Sequence, residues 1–332
     1  MTETASRSGA GFSAVQAAAV LTVCRLAAFF CDSRPYSASY AKGMSAAALL
    51  TAGLLLPLLL PRTPLPDAVL RFCRLYALLT ASLTLVRLRD LLFALHSPYP
   101  RLTLFLLLPV LLELQRLPQA ASARAATLLL FVTAAAFLLL PVSGLRTARL
   151  ISLYTPDSSG AAFLREFQQS GELGILPLLI RQEKKPHAAA RGAAAWLIFR
   201  AVLLPLTVLF GAAVNGRLLH LSGNPFFLLL ARTPLSDAFR ADGFWMLLAV
   251  GCMVLNLTLL LQLAAGGAAP CLRYGIILPF ACFALLFAIL PDPSAWSGRA
   301  ALLSGTVLPA ASRFYDLCGR LPQIPRPFRR QK

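Results

Sequence analysis

The sequence predicts an all-α integral membrane protein of about ten transmembrane helices, the sixth of them discontinuous. Three observations carry that expectation. Apolar residues make up 58% of the chain and charged residues only 13%, with a mean hydropathy of +0.71; a soluble domain carries about a quarter charged residues. The apolar residues fall into long runs bounded by charge or proline. One run, inside SGELGILPLLIRQEKKP at residues 170 to 186, is far too short for a crossing, which takes about 20 apolar residues. With 332 residues, crossings and short loops use nearly the whole chain. A single membrane domain is expected over 1–332: a cytoplasmic N-terminus at 1–11, a helical bundle at 12–317 and a basic cytoplasmic tail at 318–332.

Taken in order, the first run covers residues 12 to 31 and carries Cys24 and Arg25 near its middle. The second covers 43 to 60. The third, 68 to 95, holds Arg71, Arg74, Arg87, Arg89 and Asp90 near its two ends, where long side chains snorkel to water. The fourth, 102 to 116, closes on Glu113, Gln115 and Arg116, and the fifth covers 125 to 143. Residues 144 to 170 read as a surface helix, with a start signal at residues 157 to 159 and an amphipathic run through Phe163, Leu164 and Phe167; it either caps a cavity or connects crossings. The sixth element spans 171 to 181, the seventh 193 to 214 and the eighth 240 to 265, with the lone polar Asn256. The ninth covers 273 to 291. The tenth, 299 to 317, carries Arg313 and Asp316 near its inner end.

Charge sets the expected orientation. With the N-terminus inside, Arg181, Lys184, Lys185 and Arg191 fall in a cytoplasmic loop, and Arg320, Arg326, Arg329, Arg330 and Lys332 fall in a cytoplasmic tail, as the positive-inside rule asks. Arg146, Arg149, Arg217 and Arg232 land outside. The 31 Lys and Arg exceed 13 Asp and Glu, but no aromatic-basic motif accompanies them, so no nucleic-acid partner is expected. Seven scattered cysteines without a CxxC pair, and three loop histidines without nearby ligands, offer neither a disulfide framework nor a metal site. The polar first residues lack the apolar core of a cleavable signal peptide. No GxSxG, HExxH, P-loop or paired-carboxylate pattern occurs, so neither an enzyme nor a cofactor is expected.

The residues that invite a functional reading are the charges and glycines at membrane depth. Broken backbone there lines a cavity. Gly171, Glu172 and Gly174 leave backbone groups accessible beside a carboxyl, which is the chemistry of a small polar ligand site. Alternatively, Glu172 sits at the outer water boundary and faces a helix N-terminus. Arg25, beside Cys24, is too central to snorkel: it holds a substrate carboxylate through its planar fork, or it pairs with Glu172 or Glu113. Asn256 makes either an interhelical hydrogen bond or a ligand contact.

The run NPFFLLLARTPLSDAFRADGFWMLLAVGCMVLNLTLLLQLAAG places Pro225, Ala231 with Arg232, Arg240 with Asp242, and Trp245 in one order. It resembles the eighth-crossing region of the spore germination permease family, the B subunits of nutrient germinant receptors in endospore-forming bacteria. SGELGILPLLIRQEKKP is similar to that family's sixth crossing, and Ser13 with Gln16 to the opening of its first. The chain departs from the pattern where Val23, Cys24 and Arg25 replace a glycine-containing break. The resemblance implies a permease-like fold of two inverted five-helix repeats, with broken first and sixth helices around a midplane site. It implies a small germinant such as an amino acid, its ammonium at Glu172 or free carbonyls and its carboxylate at Gly171 amides or Arg25. Arg240, Asp242 and Asn256 are then structural or gating residues. It also implies A-type and C-type partner subunits and a location in the spore inner membrane, or the cell membrane of a spore-former. A solute transporter and a non-binding structural subunit are the alternatives.

Overall fold

The computed structural model describes residues 11–32, 36–59, 65–94, 100–144, 148, 160, 163, 164, 166, 171–183, 185, 187–216, 224–232, 242–266, 275–289, 299, 300, 303 and 307–312. Among them the architecture is all-α, with one isolated backbone bridge between Phe12 and Glu183. The helices are α1 (Ala14–Phe30), α2 (Ala38–Leu59), α3 (Asp67–Ala94), α4 (Pro100–Arg116), α5 (Gln119–Gly144) and α6 (Glu172–Arg181). There follow α7 (Ala188–Ile198), a π-helical turn (Phe199–Leu203), α8 (Leu204–Asn215), α9 (Pro225–Arg232), α10 (Asp242–Ala265) and α11 (Ile277–Ile289). Four helical stretches are long and apolar enough to cross a membrane: Asp67–Phe93, Gln119–Pro141, Ala188–Asn215 and Gly243–Ala265. Large apolar side chains point outward along the bundle, among them Leu128, Phe131 and Leu138 of α5, Leu247 of α10 and Leu278 of α11. That surface suits lipid rather than water.

α1 forms the centre, because nearly every residue from Ala17 to Phe30 is buried. Its start is fixed by a capping box: Gln16 donates its backbone N–H to Ser13 Oγ, and Ser13 N–H donates to Gln16 Oε1 at 2.9 Å. The helix runs unbroken through Val23, Cys24 and Arg25, so the break that the resemblance implies for the first crossing is not there. α1 packs against α5, α7 and α10, and α10 packs along α3. The α1–α7 contact is close. A Cβ on Gly192 would lie 2.6 Å from the Ala14 carbonyl oxygen and 2.8 Å from Ala17 Cβ, so only glycine lets these backbones meet.

α10 is tied to its neighbours by polar groups inside the apolar core. Asn256 Nδ2 donates to Thr84 Oγ1 of α3 at 3.3 Å, Gln262 Nε2 to the Leu117 carbonyl at 3.2 Å, and Gln115 Nε2 of α4 to the Thr258 carbonyl at 3.2 Å. Each bond joins groups that hydrocarbon cannot solvate. At the opposite end, Phe30, Phe137, Phe226 and Trp245 cluster, with centroids 5.1 Å apart for Phe30 and Phe226 and 5.3 Å for Phe226 and Trp245. Asn224 starts α9 there and donates to the Phe30 carbonyl at 2.9 Å.

Candidate functional site

Three chain segments converge on one level of the bundle. Phe12 N–H donates to the Gln182 carbonyl at 2.8 Å, and the Glu183 carboxylate accepts the backbone N–H groups of His187 and Ala189 at 3.3 and 3.2 Å. The start of α1, the end of α6 and the start of α7 therefore share one end of the molecule. At about 1.5 Å per helical residue, Arg25 lies about 20 Å in from Phe12, Glu172 about 15 Å in from Gln182, and Arg200 about 18 Å in from Ala188. All three meet near half the length of a crossing helix.

α6 is only 10 residues long, about 15 Å or half a bilayer core. Its inner end is deep in protein: Glu172, Leu173, Gly174 and Ile175 are all buried. The half-length sixth element expected from its short apolar run is thus present. Gly171 lies at its start against α3, where a Cβ would meet Thr80 Cγ2 at 3.2 Å and the Tyr76 hydroxyl at 3.4 Å.

The charges at this level form a network of two arginines and two glutamates, none more than 1% exposed. Arg25 Nη2 donates to Glu166 Oε2 in a close ion pair. Arg200 reaches both carboxylates, with Nε 3.5 Å from Glu166 Oε1 and Nη1 3.4 Å from Glu172 Oε1. Its guanidinium also lies 5.5 Å from the centroid of the Trp196 ring, a cation–π position. Of the two readings open for Glu172, the structure has the buried one, and Arg25, expected at depth, takes Glu166 as its closest partner rather than Glu172 or Glu113. Glu113 is exposed and pairs with Arg116 at 2.9 Å. Most of residues 144 to 170, read from the sequence as a surface helix, lies outside the described residues. Leu164 is 57% exposed, but two residues on Glu166 is fully buried, because the Arg25 charge inside the bundle needs a counter-charge.

Arg200 owes its place to a local feature. Pro205 cannot donate to the Ala201 carbonyl four residues back, and its ring crowds that group. The helix answers with the π turn Phe199–Leu203, and Ser45 Oγ of α2 donates to the Ala201 carbonyl at 3.2 Å. Such turns are frequent at functional sites. Arg200 faces the core there while Ile198 and Val202 face outward. Sequence reasoning missed Arg200, although a charge deep in the apolar run AWLIFRAVLLPL meets the criterion that singled out Arg25.

The remaining sequence candidates are dispersed. Cys24 is buried among the apolar side chains of the main core. Asn256 is engaged with Thr84 in an interhelical hydrogen bond. Asp242 begins α10, while its side chain and Arg240 lie outside the described residues. Among the described residues no three histidine, cysteine or acidic side chains gather as a metal-binding group. Chemically, the site offers two arginines and two glutamates of opposite charge, packed together at the start of α6. Comparison with known proteins finds no matching family model, no matching curated protein and no matching solved structure.

Proposed function

We propose that this chain is a multi-pass membrane protein of permease-like architecture that binds a small solute, such as an amino acid, at the buried end of α6. Its partners are then the A-type and C-type subunits of a nutrient receptor in the membrane of a spore-forming bacterium, the system its sequence resembles. The observation that carries this reading is the half-length helix that starts at a buried carboxylate, Glu172, beside the guanidinium of Arg200. Half-helices ending at mid-depth are how permease-like bundles offer unpaired backbone groups and a charge to a solute. Ten crossings in two inverted five-helix repeats belong to the same proposal.

A bound solute that competes for Glu172 or Arg200 alters how α6 packs on α7, and that shift is what partner subunits would sense. The test is thermal stabilisation of the purified protein by each amino acid in turn. A rise in melting temperature with at least one of them, lost in Glu172→Gln, is expected. No rise with any amino acid overturns the reading, and an undiminished rise in Glu172→Gln removes the site from α6. A non-binding anchoring subunit is the second reading, favoured because the two arginines and two glutamates neutralise one another and α1 is unbroken. It predicts co-purification with partner subunits and no stabilisation by any solute. Counterflow of labelled solute in liposomes would instead identify a transporter.

A further inference from the structure

We propose that Arg71 and Arg74 of α3 bind the phosphate of an anionic phospholipid in the leaflet at that end of the bundle. This rests on the membrane reading and is independent of solute binding. The two arginines stand one turn apart, Arg71 exposed and Arg74 half-buried. Among the described residues neither has an ion-pair partner, because the acidic side chain of that turn, Asp67, is taken by Arg181 at 3.1 Å. Three guanidiniums thus surround one carboxylate, and the surplus positive charge stays on Arg71 and Arg74.

Arg74 is held in place by α10. A Cβ on Gly266, which follows that helix with φ +61°, would collide with the Arg74 guanidinium. Its Nε is buried there without an acceptor, and a buried donor without a partner loses its hydration and gains nothing. No described residue meets this charge, so it is met from outside the protein. A guanidinium presents paired N–H groups whose geometry matches a phosphate.

Depth and surface select a lipid over a dissolved anion. α3 is 28 residues long, about 42 Å, against about 30 Å of hydrocarbon, which leaves about 6 Å at each end. Arg71 stands about 6 Å and Arg74 about 10 Å in from Asp67, at the boundary where headgroups meet acyl chains. From Arg71 inward the same face continues at four-residue spacing with Leu75 and Leu79. Leu75 is 45% exposed and Leu79 half-buried. Leu278 of α11, the helix packed along α3, is exposed as well. A lipid held by its phosphate lays its acyl chain along these leucines, a contact that a soluble anion lacks.

The experiment follows the melting temperature of the full-length protein in neutral micelles as dioleoylphosphatidylglycerol, dioleoylphosphatidylcholine or inorganic phosphate is added. A rise with phosphatidylglycerol alone is expected. Arg71→Gln with Arg74→Gln is expected to weaken its apparent affinity about thirtyfold, and Arg71→Gln alone, which leaves Arg74 against α10, about fivefold. Lys185→Gln with Arg191→Gln removes as much charge from the basic turn after α6 and is expected to keep wild-type affinity. No rise with phosphatidylglycerol, or an equal rise with phosphatidylcholine, overturns the proposal, and an equal rise with inorganic phosphate overturns the lipid as occupant. Equal losses in the two double variants replace the site with general attraction to negative charge. Wild-type affinity in Arg71→Gln overturns it even where the double variant does not fold.

Discussion

Arg25 shows what one charge demands of a membrane bundle. It stands in a helix whose residues from Ala17 to Phe30 are almost all buried, so it can reach neither water nor headgroups and must be matched inside. Glu166 supplies the match, and removing Arg25 leaves two buried carboxylates, Glu166 and Glu172, to share the one guanidinium of Arg200. Arg25→Ala is expected to lower stability by about 3–5 kcal/mol, the range for breaking a buried pair from one side. The double change Arg25→Leu with Glu166→Leu is expected to cost much less, because no charge is then stranded. Unfolding of the three proteins in the same micelles measures this, and a wild-type melting temperature for Arg25→Ala would show that Glu166 does not depend on it. Half of this pair was legible. A charge in the middle of an apolar run marks itself, whereas Glu166 lies 141 residues away in a polar stretch whose pattern reads as surface. Arg200 was as visible as Arg25, but its partners could be found only by folding the chain.

At the scale of elements, packing here depends on small residues and on how helices handle proline. The length of α6 was legible from its short apolar run, because no other segment is bounded so tightly by Gly171 and the basic turn after Ile180. The π turn was not. The run from Trp196 to Leu206 is continuously apolar around Arg200, and only Pro205 hints that the ladder is interrupted. Nor did composition reveal which of many small residues mark contacts. Gly192 is decisive because its missing Cβ lets α7 touch the backbone of α1, the helix that presents Arg25 to Glu166. Gly192→Ala must push the two helices apart. It is expected to cost about 1–3 kcal/mol, as overpacking does, and to weaken the solute response by displacing α7, which leads into the turn that carries Arg200. Gly251→Ala is the control, since a Cβ there meets nothing within 4 Å; equal melting temperatures for the two variants would show that the close approach carries no stability. Ser45→Ala removes the donor to the Ala201 carbonyl, for which about 1 kcal/mol of destabilisation is expected.

Across the whole molecule, the contacts between chain ends fix a shared polarity that no single helix shows. Arg181 at the end of α6 pairs with Asp67 at the start of α3 at 3.1 Å, and Phe12 before α1 bonds to Gln182. Gln262 near the end of α10 bonds to the Leu117 carbonyl just past α4, and Gly266 beyond α10 sits against the Arg74 guanidinium of α3. One end of the bundle thus collects the starts of α1 and α3, the end of α6, the residue past α4 and the end of α10, beside the basic turn after α6. The other end collects the close of α3, where Leu91 and Leu92 cluster with Ala27 of α1 and Met253 of α10. In the proposed multi-pass arrangement, the strongly basic turn holding Arg181, Lys185 and Arg191 puts the first end in the cytoplasm under the positive-inside rule. In a background with the seven native cysteines replaced, single cysteines at the exposed positions Asp67, Arg116 and Lys185 are expected to resist an impermeant maleimide applied outside intact cells and to react in inverted vesicles. A cysteine at Asp90, exposed at the opposite end, is expected to do the reverse. If Asp67 and Lys185 react from different sides, α3 and α6 cannot share an end as the Arg181–Asp67 pair requires, and the level at which Arg25, Glu172 and Arg200 meet would no longer be mid-membrane.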